Sequence, residues 1–220
     1  MGFYNEHDEI VMAHAAGLLP PAQALVIETQ AALREDVRRE LKDCEAIAAA
    51  LMEDCAPADL SADLRARVMD QLDLPAEEPV APPSGCDHRL PEPLRGVVGK
   101  DLDSLPWRWV MPGLRDCVLP LGAAKSPPGN GGTMRLMWVR AGTRVPAHSH
   151  RGLEMTLVLQ GAYRDATGIY GAGDLQLADE RVDHGPEARA GADCLCLVVT
   201  EGPVRLTGRF GRLFDRIVRY

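Results

Sequence analysis

Two histidines one residue apart, with a glutamate four residues later, constrain this chain more than any other feature. They lie in Gly142-Thr-Arg-Val-Pro-Ala-His148-Ser149-His150-Arg-Gly-Leu-Glu154, which runs on through Met155-Thr-Leu-Val-Leu-Gln160 to Gly161. Side chains alternate faces along an extended backbone, so His148 and His150 leave the same face of a strand. The Arg151-Gly152-Leu153 turn then lets the chain double back and bring the Glu154 carboxylate to the two imidazoles. These are three of the ligands that a borderline divalent metal takes. A fourth is available at His184, after a second hairpin expected to turn at Gly171-Ala-Gly173-Asp174. The bland alternative is an antiparallel hairpin with surface histidines. It fits less well, because three of the six histidines fall on the pattern and the flanking strands read as buried.

Three neutral imidazoles and a carboxylate suit zinc first, and manganese, iron or nickel as well. Four protein groups around a tetrahedral ion would make a closed site, structural or sensory. A water in a fifth position would open it to catalysis. Glu180, Asp183 and Glu187 stand near His184 in sequence, and they read as solvated hairpin residues rather than as an acid or base beside the metal. No catalytic residue and no organic cofactor site is assigned. Cys194 and Cys196 share a strand face, where a disulfide between such near neighbours would be strained, so they read as small core residues, with a redox sensor as the alternative.

The rest of the chain divides by period. Residues 1–74 read as helices: the segment around Glu9–Ala16 stops at Gly17, and Pro20-Pro21 suits the first turn of the next helix. Leu33, Val37, Leu41, Cys44, Ala48 and Leu51 then recur three or four apart as one apolar helical face, with Glu35 and Arg39 placed to pair on the opposite side. Ser61 is expected to cap a short helix on which Leu64, Val68 and Leu72 align. Residues 75–93 are Pro-rich and aperiodic, as a semi-stiff linker would be. From residue 94 to 220 the text changes to short strands separated by Gly, Pro and Asp clusters, with a loop at Lys125–Thr133. This gives an α+β chain of two domains, a small helical bundle followed by an all-β sandwich or barrel.

The net charge of -8 argues against nucleic acid as a partner and makes a basic protein the more natural one. No apolar run is long enough to span a bilayer, and Met1-Gly-Phe-Tyr-Asn-Glu lacks the order of a secretory signal, so the expected compartment is the cytoplasm. Scattered cysteines without Cys-x2-Cys fit free thiols there.

The spacing G-x5-H-x-H-x3-E-x6-G, followed by a lone later histidine, resembles the two metal motifs of the cupin superfamily. The first is matched at every fixed position; in the second, Ala178-Asp-Glu180-Arg-Val-Asp stands where the family usually has Pro-x-Gly before its last histidine. The resemblance implies a jelly-roll barrel with its site inside. The helical half, the linker and a barrel carrying His148-Ser-His150-Arg-Gly-Leu-Glu154 and Asp193-Cys-Leu-Cys-Leu together look like the ChrR-type anti-sigma factors. In that family a helical domain binds a group IV, extracytoplasmic-function (ECF), sigma factor and blocks its access to core RNA polymerase. The cupin is needed for release under oxidative stress, notably singlet oxygen. Family members also hold zinc in the helical domain; the corresponding positions here are Asn5, Gln30, Arg34 and Val37, which form no zinc set, so that metal is expected to be absent. The competing expectation is a cupin metalloenzyme, a dioxygenase or isomerase, with a helical accessory domain.

Overall fold

Gly17 ends the first helix as expected. The computed structural model describes residues 6–72, 87–120 and 133–207, and within them helix α1 spans Glu6–Ala15. Beyond it Gly17 adopts φ 69 and the Leu18 N–H reaches back to the Ala13 carbonyl, a left-handed cap that glycine takes without a Cβ penalty. Helix α2, Pro21–Leu33, starts with proline in its first turn. Helix α3 covers Glu35–Glu53 and α4 covers Leu64–Leu72.

The apolar face expected to run unbroken from Leu33 to Leu51 is interrupted. Arg34 is extended at φ -125, ψ 118 and separates α2 from α3. Its guanidinium is fastened on both sides, to Asp36 and, at 2.7 Å, to Asp174 in the β region. Val37 packs with Val11 of α1 and Ala31 of α2, with Leu41 and Cys44 at the margin. Past that point the face is uncovered: Leu51 is 65% exposed, and Ile47 and Met52 are exposed with it. Helix α4 buries no residue at all, and Val68, Met69 and Leu72 face solvent.

The remainder is β structure after one short helix, α5, Glu92–Val98. Strands β1 Arg108–Met111, β2 Leu114–Val118, β3 Thr133–Val139, β10 Cys194–Thr200, β5 Glu154–Gln160 and β8 Leu175–Ala178 form one antiparallel sheet in that order. Strand β4, His148–His150, pairs with β11, Val204–Leu206; β6, Ala162–Arg164, lies between β7, Ile169–Gly171, and β9, Glu187–Ala188. The expected strands are present. The three short ones, β6, β7 and β9, were not foreseen, being too brief to show an alternation.

Two expected hairpins are corners instead. Strand β4 does not pair with β5, because the bend at Gly152, φ 85, carries the chain from the small sheet with β11 into the large one. Gly171–Asp174 does make a tight turn, with the Asp174 N–H on the Gly171 carbonyl, yet it joins β7 to β8 across two different sheets. Closing sheets into a barrel requires such corners, and glycine at positive φ makes them.

The central strands are buried on both faces, and the two faces have different neighbours. On β10, Leu195, Leu197 and Val199 point one way and Cys194, Cys196 and Val198 the other; on β5, Met155, Leu157 and Leu159 oppose Glu154, Thr156 and Val158. The outer apolar face is covered by helices: Val26 and Ile27 of α2, both fully buried, join Leu90 and Leu94 in a single cluster with Leu136, Met155, Leu157 and Leu197. A sheet with an apolar outer face must be covered by another layer, and α2 supplies it. The helices are therefore tied to the barrel through α2, more closely than the division at a 75–93 linker anticipates. Residues 75–86 of that linker lie outside the described residues. Residues 87–93 are folded: the buried Asp87 carboxylate accepts from the Arg89 guanidinium and from the Leu102 N–H at 3.0 Å, and Leu90 enters the core. The Lys125–Thr133 loop falls almost wholly outside the described residues.

Candidate metal centre

His148, Ser149 and His150 alternate buried, half-buried, buried along β4, which places both imidazoles on the inner face as the spacing requires. Glu154 opens β5 on the interior face of the large sheet. His184 arrives by backbone pairing: it forms an antiparallel bridge with His148, each N–H bonding the other's carbonyl. All four side chains are buried, and one ligand atom from each lies within 4.8 Å of the others. The ring centroids form a triangle with sides of 5.0, 4.6 and 5.1 Å.

The outer contacts of the rings decide which nitrogen is free. His148 Nδ1 lies 2.8 Å from the Pro146 carbonyl, so it carries the proton and leaves the Nε2 lone pair unprotonated. His184 Nδ1 lies 2.8 Å from the Asp165 carboxylate, with the same result. His184 Nε2 is then 3.0 Å from His150 Nε2 and 3.9 Å from a Glu154 oxygen. His150 Nδ1 is buried and makes no hydrogen bond; it sits 3.2 Å from the other Glu154 oxygen, close but not aligned as a donor. Inward lone pairs facing a carboxylate, with one nitrogen orphaned, are what a cation would satisfy. The residues present therefore fit a divalent metal.

Burial shapes the charges in the same sense. Desolvation lowers His148 to about 4, partly opposed by the Pro146 carbonyl, and desolvation with the neighbouring imidazoles lowers His150 to about 3. Both rings are thus neutral near pH 7, as metal ligation needs. Burial raises Glu154 to about 7 against the hydrogen bond donated by the Thr156 hydroxyl at 3.1 Å. A metal there would have to displace a proton from this carboxyl.

Glu180 and Asp183 are exposed, as the solvated reading expects, whereas Glu187 is half-buried on β9, where it pairs with Arg164. Cys194 and Cys196 are free and buried, with sulfurs 3.6 Å apart, as small core residues. Asp165 was not singled out from sequence. It lies in Asp165-Ala-Thr-Gly168, which reads as an ordinary β-turn, and only the fold brings its carboxylate behind His184.

At the positions corresponding to the helical zinc, Asn5 is outside the described residues. Gln30 is buried, taking His7 at 3.0 Å and donating to the Gly173 carbonyl at 3.3 Å. With the Arg34 ion pair and Val37 in the small core, the place is filled by hydrogen bonds and packing. A second set, His7, Asp8 and Glu40, also comes within 4.8 Å, but it is only half buried, and His7 Nε2 is engaged by Gln30.

Fold and site together define a cupin barrel with a three-histidine, one-carboxylate centre, preceded by a helical region that is anchored to it. The sequence model of the ChrR cupin-like domain matches residues 96–205. The anti-sigma-E factor ChrR of Cereibacter sphaeroides is 40% identical over 216 residues, 98% of each chain. The crystal structure of Rhodobacter sphaeroides SigE in complex with the anti-sigma ChrR superposes with a TM-score of 0.75 at 40% identity, covering 88% of this chain and 96% of that one. The chain belongs to the ChrR family of anti-sigma factors, which places it among regulators rather than among the enzymes built on cupin barrels.

Proposed function

We propose that this chain sequesters an ECF sigma factor through residues 1–74 and so inhibits transcription, acting in the cytoplasm, while the barrel over 94–220 governs release under oxidative stress. His148, His150, Glu154 and His184 would hold the metal, zinc first among the candidates. The ion would supply a charge that ties β4, the start of β5 and the His184 segment together. The chain's own groups do the rest: Pro146 orients one ring, the large sheet holds Glu154 inward, and burial keeps water away.

The observation that carries this reading is the uncovered apolar surface of α3 and α4, in a chain that matches ChrR from end to end. Ile47, Leu51 and Met52 on α3 and Val68, Met69 and Leu72 on α4 are all solvent-exposed, and apolar helix faces left uncovered mark partner surfaces. The solved relative was crystallised with SigE, and the acidic net charge suits a basic protein partner. The test is a pull-down with this chain from its native cell extract, analysed for an ECF sigma factor, followed by transcription from that factor's promoter with purified components. Co-purification with dose-dependent repression is the expected result. A chain that captures no sigma factor, or captures one without repressing it, removes the proposal.

A further inference from the structure

Behind His184, on the side away from the other ligands, lies a carboxylate whose two oxygens have separate tasks. Asp165 Oδ1 accepts from the Thr167 N–H at 2.8 Å, the Thr167 hydroxyl at 2.7 Å and the Gly168 N–H at 3.2 Å, which is the usual work of an aspartate opening a β-turn. Asp165 Oδ2 takes no part in the turn. It accepts from His184 Nδ1 at 2.8 Å and from the Gln176 side chain at 2.7 Å. The Gln176 carbonyl is held in turn by the Tyr163 hydroxyl at 2.7 Å, and Tyr163 stacks on Tyr170. The Asp165 carboxylate is fully buried, as is the His184 ring. A charged group is not buried in a turn for the turn's sake, since an exposed aspartate would make the same Oδ1 bonds at no desolvation cost.

We propose that Asp165 is a positioning residue for the metal centre, fixing the His184 ring and keeping its Nε2 lone pair directed at the ion. The proposal rests on His184 being a ligand, as read above. The Tyr163–Gln176–Asp165 chain sets the ring's rotation, and the carboxylate makes the imidazole a better donor. Asp165 makes no hydrogen bond to the other three candidate ligands, so its direct contact with the set runs through His184.

The test is zinc affinity, by chelator competition, of the full-length parent and of Asp165→Asn, Asp165→Ala, His184→Ala and the double variant Asp165→Ala/His184→Ala. Melting of each protein is measured with metal removed. Asp165→Asn keeps an oxygen for the Thr167 and Gly168 donors but turns an NH2 toward His184 Nδ1, which drives the proton to Nε2. Both single changes at Asp165 are expected to weaken zinc by about 10- to 100-fold, and Asp165→Ala is expected to add little on the His184→Ala background. Near-additive effects in the double variant would overturn the proposal, because Asp165 would then act on the barrel at large. Parent-like affinity in both Asp165 variants beside a weak His184→Ala would also overturn it, leaving the ligand set standing. Parent-like affinity in His184→Ala itself would sink the ligand set and the proposal together. Should the alanine variant fail to fold, Asp165→Asn carries the comparison.

Discussion

His148 and His184 exchange both of their backbone hydrogen bonds, at 2.9 and 3.0 Å, so peptide groups, not side chains, hold the first and last members of the candidate ligand set together. A side-chain change should therefore open the site without opening the corner. His184→Ala is expected to retain the parent's β-sheet circular dichroism and slow amide exchange at residues 148 and 184. His184→Pro, which has no N–H to offer the His148 carbonyl, should lose the protection at residue 148. Rapid exchange at 148 in the alanine variant would show that the ring, or a metal on it, holds the corner.

Metal affinity should carry the signature of one proton. The metal-free barrel keeps His148 and His150 neutral down to about 4 and 3, while Glu154 holds its proton up to about 7. Below about pH 7 the ion competes with the Glu154 proton, and affinity should fall about tenfold per pH unit, steepening as the rings take up protons. Glu154→Gln is expected to bind more weakly at pH 8 and to flatten this slope. An unchanged slope in Glu154→Gln would assign the linked proton elsewhere.

Stability of the metal-free protein should respond to acid in the opposite way from what Glu154 alone would give. A raised carboxyl contributes stability that is present at low pH and lost as pH rises through about 7. The lowered histidines contribute stability that is present above their ordinary 6.5 and lost as pH falls toward about 4 and 3. Two groups outweigh one, so the metal-free barrel should lose stability between about pH 6.5 and 4. Melting curves on chelator-treated protein across that window check the sign.

The grouping of the four candidate ligands was legible because its rule is local. Alternation on a strand puts His148 and His150 on one face whatever the strand pairs with, and the spacing to Glu154 survives the replacement of a hairpin by a corner. Partners chosen by tertiary structure were not legible. Asp165 belongs to a turn that would look the same if its side chain faced water. The break at Arg34 has no glycine or proline to announce it, and one partner of its guanidinium, Asp174, is 140 residues away. Val26 and Ile27 read as part of a helical bundle, since nothing in their own segment says that the outer face of a sheet awaits them.

That placement of α2 predicts a coupling between the two halves. Ile27 is fully buried against barrel residues, so Ile27→Ala should cost about 2 to 5 kcal/mol and lower the melting of helices and barrel together. Arg34→Ala removes an ion pair whose members are each more than a third exposed, and such pairs contribute about 0 to 1 kcal/mol. Calorimetry of the two variants separates these expectations; two independent transitions in Ile27→Ala, with the barrel unmoved, would contradict the shared core.

The exposed face of α3 and α4 should matter for binding and hardly at all for folding. Leu51 and Leu72 are 65% and 71% exposed, and surface changes of this kind alter stability by only about 0.5 kcal/mol. Leu51→Asp and Leu72→Asp are nevertheless expected to weaken sigma-factor binding more than about tenfold each, read by titration calorimetry. Binding unaffected by both changes would move the partner surface elsewhere on the chain.

Repression and release should separate in the full chain. The ligand side chains lie inside the barrel, whereas the uncovered apolar residues are on α3 and α4, so no atom of the metal set belongs to the surface proposed to hold the sigma factor. The corner that carries His148 is kept by backbone bonds, and the shared core through Val26 and Ile27 does not involve the ligands. The double change His148→Ala, His150→Ala is therefore expected to abolish tight metal binding, leave repression of the sigma factor's promoter within about twofold of the parent (under about 0.5 kcal/mol at the partner surface), and blunt induction by singlet oxygen. Metal analysis, a promoter reporter and a dose series of photosensitiser read the three effects on one variant. Constitutive expression in the double variant would mean that the metal-bearing barrel is required for holding the partner, and full induction without metal would remove the ion from the signal.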